Sequence, residues 1–332
     1  MLRLARFVPS LILAAASLAC APSVPAVVSV EPPPGAEPVI VEAAPVRQPA
    51  RTCERAGAEG ILDVVPDQAQ LLISINPREL MAAGAWVRLE MVFAKDSEWV
   101  QAMAIFDGCG LPASTWERLV IGVTRSEEYV LAGVAPGAGR DENARCLIEA
   151  IQRANGEEIS AVVTPSPDLP SLRIIEFSDG RAYLIDDDAI AIATLGLADL
   201  LGDRLECVGP PAFGGPLTSW SRVLDPSATI WLAGAGWPEV ESVLSVSAPP
   251  LAFVVAARFA DGVDLQLEVL TSDPASAEAM AREAQGLVDG LRPMVPPGLV
   301  RAVEDMSVVH EGDAMQIGLS ITGQEWDALL SL

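Results

Sequence analysis

The chain has 332 residues, of which 51% are hydrophobic, so it can bury a sizeable core and is not a disordered protein. Acids outnumber bases 45 to 21, for a formal charge of -24, a field that repels phosphate backbones and disfavours nucleic acid as a partner. Lys95 is the only lysine and His310 the only histidine, which removes lysine chemistry and most histidine chemistry from consideration.

The first residues, MLRLARF, carry Arg3 and Arg6, and no further charge appears before Glu31. Between them the apolar run covers only residues 8–20. That is too short to cross about 30 Å of hydrocarbon as a helix, and it suits the core of a signal peptide. Small residues then lead into a cysteine in Ser17, Leu18, Ala19 and Cys20. This stretch resembles the lipobox of bacterial lipoproteins, with Ser17 where leucine is commonest and the leucine one place later. The resemblance implies a signal peptide over residues 1–19 and lipid attachment at Cys20. It also implies the membrane as a partner through that anchor, and, with Ala21 rather than aspartate after the cysteine, the outer membrane.

Residues 21–52 hold eight prolines and no aromatic residue. Proline removes backbone donors and biases the chain toward an extended conformation, so residues 20–52 form a semi-rigid tether with a reach on the order of 100 Å.

Beyond the tether, strand and helix signals recur in the same order twice. In the first half, QLLISI (70–75) predicts a strand, with Asn76 as a helix cap and Pro77 in the first helical position. A helical insert is expected near 85–116, then a strand pair at 119–124 and 129–135. The spacing of Ala144, Leu147, Ile148 and Ile151 predicts a helix over 141–154. Strands at 172–177, 181–185 and 189–194 and a short helix at 198–201 close the half. In the second half a strand at 229–233 precedes a helix opened by Pro238. Paired strands at 251–260 and 263–271, a helix over 275–291, strands at 306–311 and 314–321 and a helix over 324–330 follow. Asp179-Gly180 and Asp261-Gly262 suit type I′ turns, and Gly312-Asp313 a II′ turn.

The fold class is therefore α+β: two tandem related units, each an antiparallel sheet with helices mainly on one face. The first occupies residues 53–207 and the second 208–332, with the boundary in the Pro/Gly-rich CVGPPAFGGP. Val263, Leu265, Leu267 and Val269 alternate with polar residues, so the second sheet should be wet on one face. LVIGV and AIAIAT are apolar on both faces, and the extra helices are expected to cover the second face of the first sheet.

No zinc-protease, phosphate-loop, dinucleotide or serine-elbow pattern occurs, and neither a metal site nor a cofactor is expected. Asp186-Asp187-Asp188 lacks calcium-loop spacing and reads as a turn. His310 beside Glu311 and the Glu127-Glu128 pair read as structural or solvated residues, and the seven tryptophans show no stacking repeat. Two functional classes remain. One is a non-enzymatic envelope lipoprotein that binds or assembles with another envelope protein. The other is a carboxylate-dependent hydrolase with a site formed between the two units.

In an oxidising compartment the remaining four cysteines allow three pairings. Cys53 and Cys207 flank the first unit, and domain termini often meet. Cys146 points roughly 150° away from the apolar side of its helix, where Cys109 at the end of the insert could reach it. The pairs expected are Cys53–Cys207 and Cys109–Cys146, the alternative being four reduced thiols.

Overall fold

The computed structural model describes residues 60–126, 128–157, 159–166, 172–206, 228–235 and 250–330, with Pro211 and Leu217. The signal and tether expected in the first 52 residues, the helix at Pro238 and most of the expected boundary at 207–216 lie outside the described residues.

The first half runs from a 3-10 turn (Gly60–Val64) through β1 (Leu71–Ile75), α1 (Pro77–Ala82), α2 (Gly84–Phe93) and α3 (Ser97–Gly108). It continues with β2 (Arg118–Val123), β3 (Tyr129–Val134), α4 (Asp141–Ala154) and β4 (Val163–Pro165). β5 (Arg173–Phe177), β6 (Gly180–Leu184), β7 (Ala189–Thr194) and α5 (Leu195–Leu205) complete it. The second half comprises β8 (Ile230–Ala235), β9 (Ala252–Phe259), β10 (Val263–Leu270), α6 (Pro274–Leu291), α7 (Val300–Glu304), β11 (Ser307–Glu311), β12 (Ala314–Ile321) and α8 (Gly323–Leu330).

Local chemistry explains the helix starts. Asn76 Oδ1 accepts from the Glu79 amide at 3.0 Å and Pro77 fills the first position of α1. Asp273 Oδ1 does the same for the Ser276 amide at 3.0 Å ahead of Pro274 in α6. In α4 the apolar spacing buries Ala144, Leu147 and Ile148.

The sheets expected for the two units are one sheet. Its twelve strands run β11-β12-β10-β9-β8-β1-β2-β3-β7-β6-β5-β4, with every neighbouring pair antiparallel. The duplication is visible in that order. Reading outward from the centre, β1-β2-β3-β7-β6 matches β8-β9-β10-β12-β11, with α4 and α6 at the same place in the chain order. The halves join where β1 pairs with β8, from Leu71 opposite Gly234 to Ile75 opposite Ile230. Both strands are buried on both faces and apolar apart from Ser74, so central positions suit them. Pairing them removes two open sheet edges at once.

Two cores lie on opposite faces of the first half. Ala189, Ala191 and Ala193 of β7 face one core with Ile61, Val65, Leu197 and Leu201. Ile190 and Ile192 face the other with Trp116, Leu147 and Ile148. The insert is divided. Ile105 and Phe106 of α3 pack on the first half, whereas Ala85 and Leu89 of α2 pack beside Phe259 and Trp326 in the second. Covering of the first sheet's remaining face thus falls to the 3-10 turn and α5 instead of to the whole insert. In the second half, Asp264 and Gln266 face solvent and Val263 and Val269 are buried, as their alternation requires, but Glu268 on the polar side is buried and Leu265 and Leu267 are half-buried, so the expected wet face is only partly exposed.

Two turns differ from the sequence reading. Phe177 pairs with Gly180, which makes Ser178-Asp179 the loop and places Gly180 in β6. Phe259 pairs with Val263, leaving a three-residue loop at 260–262. Neither Gly180 nor Gly262 has a positive φ; each is needed for close approach. A Cβ on Gly180 would meet the Ala193 carbonyl oxygen and come 2.9 Å from the Phe177 ring. Gly312, at φ +57°, does occupy the conformation its hairpin demands. The short β4 and α7 carry too few residues to show a periodicity, and sequence reasoning missed both.

Candidate functional site

Cys109 and Cys146 are joined by a disulfide, with a Cα–Cα distance of 5.5 Å, between the end of the inserted helices and α4. Cys20, Cys53 and Cys207 lie outside the described residues.

The aspartate triplet between β6 and β7 is a brace. Asp188 Oδ1 accepts from the Gly137 amide at 2.7 Å, and Asp186 Oδ1 accepts from the Asp188 amide at 2.8 Å. Asp187 lies 3.6 Å from Arg173, which also binds Asp141 at 2.6 Å and donates to the Gly139 carbonyl at 3.0 Å. These bonds hold the β3–α4 connection against the β6–β7 hairpin. His310 is exposed on β11, and among the described tryptophans Trp86, Trp116, Trp231 and Trp326 are core residues.

An open pocket of about 460 Å³ lies where α2, the β9–β10 loop, α7 and the start of α8 converge. Its charged lining is Arg88, Asp261, Arg301 and Asp327. Arg88 is ion-paired with Asp327 and donates to the carbonyl oxygens of Gly84 at 3.4 Å and Asp261 at 3.5 Å. Arg301 pairs with Asp305 at 3.4 Å and is well exposed. Thr322 gives its amide at 2.8 Å and its hydroxyl at 2.6 Å to Glu325 Oε2. Those bonds, the hydroxyl first, hold the Glu325 carboxyl below the ordinary carboxylate range. Each cation thus has a carboxylate partner, and the arrangement fastens α2 to α8 across the two halves. The sequence reading missed this cap, although the Thr322-to-Glu325 spacing is the capping-box signal that could have found it; nothing local marks Arg88.

Glu268 and Glu325 are the buried carboxylates among the described residues. Glu268 projects from β10 on the face shared with Gln316, whose amide donates to it at 3.2 Å. Burial, reinforced by Glu311 and Asp313, pushes its carboxyl above the ordinary range, with the Gln316 bond acting the other way. Glu325 caps α8, which packs with Val263 and Leu265 on the opposite face. The two do not form an acid–base pair. No group of three His, Cys, Asp or Glu residues placed to hold a metal ion occurs among the described residues.

What fold and site define together is a duplicated α+β body on a single antiparallel sheet, stapled by a disulfide. No protein-family model matches the chain, and no curated protein does. Among solved structures it is similar to crystal form III of TP0453, with a TM-score of 0.49 and 11% identity over 82% of this chain and 98% of that one. Crystal form I of TP0453 gives a TM-score of 0.48 and 13% identity over 82% and 96%.

Proposed function

We propose that the protein is a lipid-anchored component of the bacterial cell envelope whose folded body binds a partner and does not catalyse a reaction. The observation that carries this reading is the Cys109–Cys146 disulfide. Stable disulfides belong to oxidising compartments, and export to one is what the signal-like residues 1–19 and the lipobox-like stretch before Cys20 call for. A proline-rich tether behind an acylated cysteine would hold the body away from the membrane while leaving its surface accessible.

The test is metabolic labelling with a fatty acid in a bacterium that processes lipoproteins. Wild-type protein should take up label and partition with membranes into detergent, and Cys20→Ala should do neither. Equal labelling of the variant overturns the assignment of Cys20, and absence of label from the wild type overturns the anchored reading altogether.

A further inference from the structure

Among the described residues, no strand pairs with the outer edge of β11, the outermost strand of the second half. Antiparallel strands point alternate residues toward each neighbour. The Thr271 amide donates to the Asp313 carbonyl at 2.8 Å, so Asp313, Met315 and Ile317 turn their backbone groups toward β10. Ala314, Gln316 and Gly318 then face Glu311, Val309 and Ser307 of β11. The N–H and C=O groups of Val308 and His310 therefore point outward, where no described strand pairs with them.

Three features separate this edge from an ordinary sheet margin. At the other end of the sheet β4 is three residues long and ends in Pro165, a blunted edge of the kind that prevents strand addition. β11 has five residues in regular register and contains neither proline nor lysine. Its counterpart in the first half is β6, and the outer edge of β6 is occupied by β5, antiparallel, from Arg173 opposite Leu184 to Phe177 opposite Gly180. The duplicated unit thus already shows a strand seated where, among the described residues, β11 has none. Exposed acids flank β11, Glu304 and Asp305 before it and Glu311 and Asp313 at its hairpin; among these acids Arg301 pairs with Asp305 only, and Ser307, Val309 and His310 are the exposed side chains of the strand between them.

From this geometry we infer that β11 is a docking edge for an extended segment of a partner protein carrying basic side chains, which adds an antiparallel strand beyond Val308 and His310. Backbone bonds supply the pairing, and the surrounding acids select the charge. A second copy of this chain is a poor occupant, because it would bring a body of charge -24 and the same acidic hairpin against the first. The inference rests on the proposed binding role but not on the lipid anchor.

The test uses the full-length protein in detergent with two synthetic extended peptides, one alternating valine and lysine, the other valine and glutamate. The lysine peptide should bind and slow amide exchange at Val308 and His310 by about tenfold or more, as new hydrogen bonds require. Binding should weaken at high salt, and the glutamate peptide should give no protection. Val308→Pro, which removes one outward donor, should lower affinity by about tenfold. Exchange measured on the wild type decides the matter even if that variant folds poorly. Unprotected Val308 and His310 amides at saturating lysine peptide, equal protection by the glutamate peptide, or a concentration-dependent dimer that itself protects these amides would each overturn the inference. A protein that fails labelling at Cys20 yet binds the lysine peptide here would remove the anchor and leave the docking edge standing.

Discussion

Cys146 leaves the outward side of α4 and still reaches Cys109, because the end of α3 lies over that side of the helix. The bridge spans 37 residues of sequence, so in the loop-entropy view it raises the free energy of the unfolded chain by about 4 kcal/mol. Cys109→Ala/Cys146→Ala should therefore unfold at lower denaturant by an amount approaching that figure, with an unchanged far-UV spectrum. Equilibrium denaturation of the oxidised and reduced wild type checks the same quantity. Identical midpoints would show that the bridge does not constrain the chain.

Ser74 and Trp231 face each other across the β1–β8 joint, and Ile73 sits in its middle, opposite Leu232 on one side and Ile121 on the other. A proline at this position removes a ladder donor from a strand paired on both sides. Ile73→Pro should cost more than about 3 kcal/mol and should release both halves together. Hydrogen exchange measured in β7 and in β10 would report each half separately. Slow exchange kept in β10 after protection is lost in β7 would show that the halves fold independently of their shared sheet.

Asp273, capping α6, has its carboxyl drawn down to about 2 by hydrogen bonds from the Ser276 hydroxyl and amide and from the Ser272 hydroxyl. Its pKa in the unfolded chain is near the ordinary aspartate value of about 3.9. A folded-state value below the unfolded one means stability present above pH 4 and lost as pH falls through 2. Asp273→Ala should melt at a lower temperature than wild type at neutral pH, and the difference should shrink as the pH drops from about 4 to about 2. A gap in melting temperature that does not change over this range would assign the effect to something other than the carboxylate.

Much of the secondary structure was determined by the sequence alone. The bounds of α4, β7 and β12, the cap at Asn76, and the order of the longer described elements in both halves follow from periodicity and capping, which act over a few residues and need no knowledge of neighbours. The Cys109–Cys146 pair was legible for the same reason: helical rotation fixed the direction of Cys146. Tertiary structure alone decided which strands lie side by side. β1 and β8 begin more than 150 residues apart, and the backbone bonds that join them are indifferent to side-chain identity, so no local pattern could announce the joint. The division of the insert between the halves, the pairing of Arg88 with Asp327 and the seating of Glu268 under its neighbours depend likewise on surfaces brought together only by that joint and by the packing of helices on it. The contrast between β6 and β11 belongs to the same level: two strands of similar length occupy equivalent places in the repeat, and among the described residues only the path of the chain before β6 gives one of them an outer partner, β5.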